Sequence, residues 1–310
     1  MIDTKEMRVV FAEKLIKIAS ANDRVYVVDG DINSSTKTDM FKEAFPDRFI
    51  QLGIAEQNML GWSSGMAAAG LIPFPTTFAC FITTRALDMI RVGVCYANLN
   101  VKISGCYAGL SYGKGGASHI SGEDIAIMRS LPNMRVLCPS DPLELEQMLD
   151  AMVAYEGPIY LRVYKSALPS VNSPDYKFDW KPRIIKDGED VLLVSAGQML
   201  HRCLRVAQEL ESRKISAAVL NLSTIKPLDT ELLAKYSARC RGVVTVEDHN
   251  IYGGIGSAVC EALSDICPTR IKRVGYLDEF VESGVEEDLL KKYGLSDREI
   301  INKVEEILNH

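Results

Sequence analysis

The 310-residue sequence has no Cys-x-x-Cys pair, no run of 18 apolar residues and no excess of basic charge. Each gap removes a class of function. The eight cysteines stand singly, at Cys80, Cys95, Cys106, Cys138, Cys203, Cys240, Cys260 and Cys267, so no zinc framework or redox pair is spelled. Their neighbours are largely apolar, as in Val94-Cys95-Tyr96 and Leu137-Cys138, which fits buried free thiols in a reducing cytoplasm. Without a long apolar run nothing is expected to span a bilayer. The opening MIDTKEMRVV lacks the apolar core of a secretory leader. The balance of 35 Lys+Arg against 41 Asp+Glu gives a net charge of −6, which argues against a nucleic-acid module with its basic face. Aromatics at 7% are too few for a single-strand stacking platform. No Ser-His-Asp order and no His/Cys cluster stands out.

What is present is an ordinary globular composition, 47% hydrophobic and 25% charged, able to bury a sizeable core. At roughly 100–200 residues per domain, the length suggests two domains. Strand-like runs at 25–28, 49–52, 72–76, 101–104, 135–138 and 159–163 alternate with helical stretches at 6–20, 55–69, 81–97, 122–130 and 141–155. Such alternation predicts a mostly parallel, doubly wound α/β sheet. Ligands of such sheets sit beyond the carboxyl ends of the strands, which draws attention to 29–35, 53–56, 76–81 and 105–119. Residues 165–190 are polar and aperiodic and carry Pro169, Pro174 and Pro182, as a linker would. A second βα series runs from Val191 to Val274, with helical signals in the tail 285–309. The expected division is a first domain at 1–165, a linker at 166–190 and a second domain at 191–310.

Several constellations stand out, each with an ordinary reading beside it. Gly113-Lys114-Gly115-Gly116-Ala117-Ser118-His119 is Gly-rich, but it does not follow a strand as GxGxxG, so phosphate cradling is the minor reading. His119, taken alone, fits a structural role as well as a functional one. Gly253-Gly254-Ile255-Gly256 precedes a helix and suits an anion at a helix N-terminus, but tight strand–helix packing explains it better. Glu56 reads as a first-turn acid stabilised by the helix dipole. Phe78 and Phe81, three apart, normally mean core.

In combination these segments resemble the C-terminal part of a transketolase-family enzyme, which uses thiamine diphosphate. The resemblance rests on FPDRFIQLGIAEQNMLG (45–61), PFPTTFACF (73–81), GGASH (115–119), SLPNMRVLCPSDPLE (130–144), GPIYLRV (157–163), TIKPLD (224–229) and VTVEDHNIYGGIGSA (244–258). It covers nearly the whole chain. It implies a pyrimidine-binding domain followed by a transketolase C-terminal domain, both doubly wound α/β. A complete transketolase carries the cofactor's diphosphate and metal on an additional N-terminal domain with a Gly-Asp-Gly motif. Neither Asp29-Gly30-Asp31 nor Asp187-Gly188-Glu189 matches that motif. The chain thus resembles the second subunit of a split transketolase. The resemblance implies that it is inactive alone and works in a cytoplasmic α2β2 assembly. Its partner, the N-terminal transketolase subunit, would hold Mg2+ or another divalent ion.

Residue by residue, the resemblance implies the following roles. Glu56 matches the glutamate that hydrogen-bonds the pyrimidine N1′ and activates the cofactor. Phe78 and Phe81 match the aromatic pair that stacks on the pyrimidine. Thr84 falls where a tyrosine is common. Asp31 matches an acid near the thiazolium. His119 matches a histidine facing substrate oxygens. Arg8, Ser35 and Lys165 match positions that grip the distal phosphate, with Lys165 offering a point charge where arginine is usual. Tyr107 stands where the family has a histidine. Lys114-Gly115-Gly116 replaces a Glu-Asp-Gly that reads sugar hydroxyls. These departures imply a ketose or aldose outside the standard pentose phosphates, such as a branched, deoxy or sulfonated anionic sugar. Three other readings stay open: the β subunit of a 2-oxoacid dehydrogenase, a deoxyxylulose-phosphate-synthase-like enzyme, and a non-catalytic scaffold.

Overall fold

The computed structural model describes residues 4–309; residues 1–3 and 310 lie outside that description. Two open sheets carry the molecule. The first has seven strands in the order Thr224–Lys226, Arg135–Leu137, Ile159–Val163, Lys102–Cys106, Ile72–Phe78, Val25–Asp29 and Phe49–Gln51. All neighbours pair in parallel except Thr224–Lys226, which runs antiparallel along one edge. Strands Ile72–Phe78, Lys102–Cys106 and Ile159–Val163 are buried at every residue, as central strands covered by helices on both faces must be. Pro73 and Pro75 lie in one of them. That strand pairs with Lys102–Cys106 only from Thr76 onward, so both prolines sit where one side carries no ladder.

The second sheet has five strands in the order Ile271–Tyr276, Val243–Asn250, Val191–Ser195, Ala217–Asn221 and Arg183–Lys186, the last antiparallel. The expectation of two doubly wound α/β layers is met. Within residues 166–190 the chain forms two short strands. Ala167–Pro169 pairs with Thr4–Glu6, and Arg183–Lys186 joins the second sheet. The stretch 81–97 is not one helix. It divides into Ala79–Arg85 and a wide π-helical turn, Met89–Tyr96. The Gly-rich segment is not an open loop but a kinked run of 3-10 turns over Leu110–Ser118. Thr224–Lys226 ties the halves together, because a strand from the second half closes the edge of the first sheet.

Candidate active site

Parallel register brings the candidate residues to one rim. Asp29 aligns with Thr76, and Phe78 with Cys106. Asp31, Phe78 and Tyr107 therefore all leave the carboxyl edge of the first sheet, where open α/β sheets bind ligands. Glu56 begins the helix Glu56–Ala68, which follows the next strand of that rim.

Five rings cluster there. Phe78 lies 5.5 Å from Phe81, 4.5 Å from Tyr107, 5.8 Å from Tyr112 and 5.9 Å from His119, centroid to centroid. His119 meets Phe81 edge-on at 5.2 Å and shares a 2.8 Å hydrogen bond from Nδ1 to the Ser118 hydroxyl. Gly115 makes this packing possible. A Cβ there would lie 2.6 Å from His119 and 2.7 Å from the Tyr112 ring. The neighbouring glycines admit a second segment: the Gly284 amide donates to the Gly113 carbonyl, and a Cβ on Gly116 would strike Ser283. The glycines thus serve close approach of backbone and rings.

Glu56 is buried, 5% exposed. Its Oε1 accepts a 2.8 Å hydrogen bond from Nη1 of Arg85, whose guanidinium carbon sits 3.9 Å from the Phe81 ring centroid. A flat hydrogen-bond donor therefore fits between this carboxylate and this ring, as Arg85 demonstrates. That is the geometry an aminopyrimidine would require, and the residue set fits one. Thr84 does not turn toward it; its hydroxyl donates 2.5 Å back to the Cys80 carbonyl in its own helix. Asp31 is exposed, at φ +67°, and bound to Gln51 through both backbone and side chain.

A second group adjoins the rings. Arg8 Nη1 donates 2.8 Å to the Ser35 carbonyl and 2.7 Å to the Tyr107 hydroxyl, which in turn donates to the same carbonyl. The other guanidinium nitrogens of Arg8 pair with Glu6. Lys165 Nζ stands 5.0 Å from the Tyr112 centroid and 5.6 Å from that of Tyr107. It has no carboxylate partner among the described residues. The Lys114 side chain is exposed and forms no hydrogen bond or ion pair with the described residues. So the structure groups Phe78, Phe81, Tyr107, His119, Arg8, Ser35 and Lys165. Glu56 joins through Arg85, while no described contact links Asp31, Thr84 or Lys114 to the rings.

Two members escaped the sequence reading, Arg85 and Tyr112. Arg85 looks like the cationic end of a short helix, and only its meeting with Glu56, 29 positions away, reveals more. Tyr112 lies beside the Gly-rich run, and that adjacency is the one signal available. The helix start at Gly254–Gly256 is capped from within the chain. The Glu247 carboxylate fills it, accepting from the Ile255 and Gly256 amides at 2.5 and 2.9 Å.

Residues 3–171 match the model of the transketolase pyrimidine-binding domain, and residues 181–300 that of the transketolase C-terminal domain. The chain belongs to the transketolase family. It is 39% identical to a putative transketolase C-terminal section of Methanocaldococcus jannaschii, over 97% of this chain and 96% of that protein. It is 35% identical to a 6-deoxy-6-sulfo-D-fructose transketolase subunit of Clostridium sp. strain MSTE9, over 97% and 94%. Among solved structures it resembles a split-gene transketolase described as an inactive beta4 tetramer. The TM-score is 0.91 and the identity 39%, with 98% of both chains covered. No helix among the described residues is long and apolar enough to cross a membrane.

Proposed function

We propose that this transketolase-family chain is the pyrimidine-binding and C-terminal subunit of a split enzyme that moves a two-carbon ketol unit from a ketose to an aldose. One observation carries the reading: a buried carboxylate faces a ring cluster that runs on, at the same sheet edge, to a lysine with no carboxylate partner among the described residues. Thiamine diphosphate, when bound, supplies the electron sink for breaking and remaking the carbon–carbon bond. Glu56 would hold a proton against N1′ of the pyrimidine, and Phe78 and Phe81 would give the ring apolar faces. Asp31 would lie on the thiazolium side, with Thr84 at the margin of the pocket. His119 would donate a hydrogen bond to a substrate oxygen as negative charge develops there.

Arg8, Ser35, Tyr107, Lys114 and Lys165 would face the substrate. Arg8 is half neutralised by Glu6, so Lys165 supplies the net positive charge. The similarity to a sulfofructose transketolase subunit supports an anionic, non-standard sugar. Among the described residues no three His, Cys, Asp or Glu gather as metal ligands. The divalent ion would fall to an N-terminal partner subunit in an α2β2 assembly. Mixing the two purified subunits with thiamine diphosphate and Mg2+ and screening ketose–aldose pairs tests the proposal. Ketol transfer should appear only on mixing, with a preferred pair other than xylulose 5-phosphate and ribose 5-phosphate. Tight cofactor binding and full turnover by this chain alone would overturn it.

A further inference from the structure

Arg85 is the last residue of the short helix Ala79–Arg85. Its side chain is 48% exposed, whereas that of its partner Glu56 is 6% exposed. The backbone at this point is pinned, because Gln57 Nε2 donates 3.1 Å to the Arg85 carbonyl. Only the side chain is left free to move. It lies with its guanidinium on the face of Phe81 and one nitrogen on Glu56. A guanidinium is planar, cationic and a hydrogen-bond donor along its edge. A protonated aminopyrimidine has those same three properties. The proposed function requires this carboxylate and this ring face for the cofactor, and neither can serve two flat donors at once.

We infer that Arg85 is a placeholder. In the cofactor-free chain its guanidinium occupies the pyrimidine position, keeps the buried Glu56 carboxylate paired, and is displaced into solvent when thiamine diphosphate binds. An unpaired buried carboxylate would otherwise be costly. The half-exposed arginine covers that cost cheaply, since its own loss of contact is repaid by hydration. The inference rests on the assignment of Glu56 and Phe81 to the pyrimidine.

The test measures equilibrium binding of thiamine diphosphate, with Mg2+, to the complex reconstituted with the partner subunit. Wild type is compared with Arg85→Met and Arg85→Lys, and circular dichroism and thermal melting confirm that each variant is folded. Arg85→Met removes the competitor, so the dissociation constant should tighten by about fivefold and the observed association rate should rise. Arg85→Lys keeps the charge without the planar fork, so it should fall between the two. Unchanged or weaker binding in Arg85→Met, with wild type binding normally, overturns the placeholder and leaves the cofactor assignment standing. Absence of saturable binding in wild type overturns the assignment itself.

Discussion

Lys165 illustrates what a single residue contributes here. It sits over two tyrosine rings with no carboxylate among the described residues to neutralise it, beside an arginine whose charge is already shared with Glu6. An anionic sugar group should therefore depend on it more than on Arg8. Lys165→Met is expected to lower kcat/KM for an anionic substrate by about 10–100-fold, the worth of one hydrogen bond to a charged group. A neutral sugar of the same shape should lose little. An equal loss for both would count against the charge argument. At this scale the sequence was legible in residue type and less so in consequence. In the sequence Gly115 reads as a lost hydroxyl-reading side chain, yet its missing Cβ is what lets Tyr112 and His119 meet. Arg85 carries no signal at all until the helix starting at Glu56 is laid beside its own, because contacts across 29 positions leave no local pattern.

Among the elements, the helix Ile255–Ile266 shows how a buried acid can be structural. Glu247, on the neighbouring strand, caps its first amides, and burial pushes its carboxyl up from an ordinary 4.5 to about 7. Its folded form thus favours the proton. The stability this gives is full below pH 4.5 and is lost as pH rises through 7. His249, fully buried two residues on, has its imidazole pushed down by burial from 6.5 to about 4. Its stabilisation is full above pH 6.5 and is lost as pH falls through 4, so the two slopes oppose each other. Glu247→Gln removes one of them. Measured by thermal or denaturant melts, the stability of the variant relative to wild type should climb by up to about 3 kcal/mol between pH 4.5 and 7. A flat difference would contradict this. The apolar run at 159–163 was readable to the residue as the strand Ile159–Val163. Strands of three or four residues, Thr4–Glu6, Ala167–Pro169, Arg183–Lys186 and Thr224–Lys226, were not. Unlike 49–52 and 135–138, which were read, these four lie in polar or proline-bearing stretches, and it is their partners that make them strands.

Across the whole molecule, the two sheets are joined by a buried ionic knot. Arg162, in the first sheet and 1% exposed, donates from Nε to Asp124 at 2.9 Å and from Nη1 to Asp248, in the second sheet, at 2.6 Å. Tyr160 and Tyr164 bond the same two carboxylates. The paired aspartates hold the Arg162 guanidinium in its charged form despite burial. Asp248→Ala would strand part of that charge and is expected to cost about 3–5 kcal/mol in denaturant unfolding. A loss below about 1 kcal/mol would show that the knot does not hold the halves together. This joint was invisible in the sequence, where Arg162 is one residue of a hydrophobic strand. The family blocks, by contrast, exposed the two-layer α/β plan without it. The central claim is that this chain furnishes the pyrimidine side of the cofactor site through Glu56. Its most direct test is the rate at which the thiazolium C2 proton of thiamine diphosphate exchanges for deuterium in the reconstituted complex. Glu56→Gln should leave the fold intact and slow that exchange by about 10²-fold or more, whereas exchange at the wild-type rate would contradict the claim.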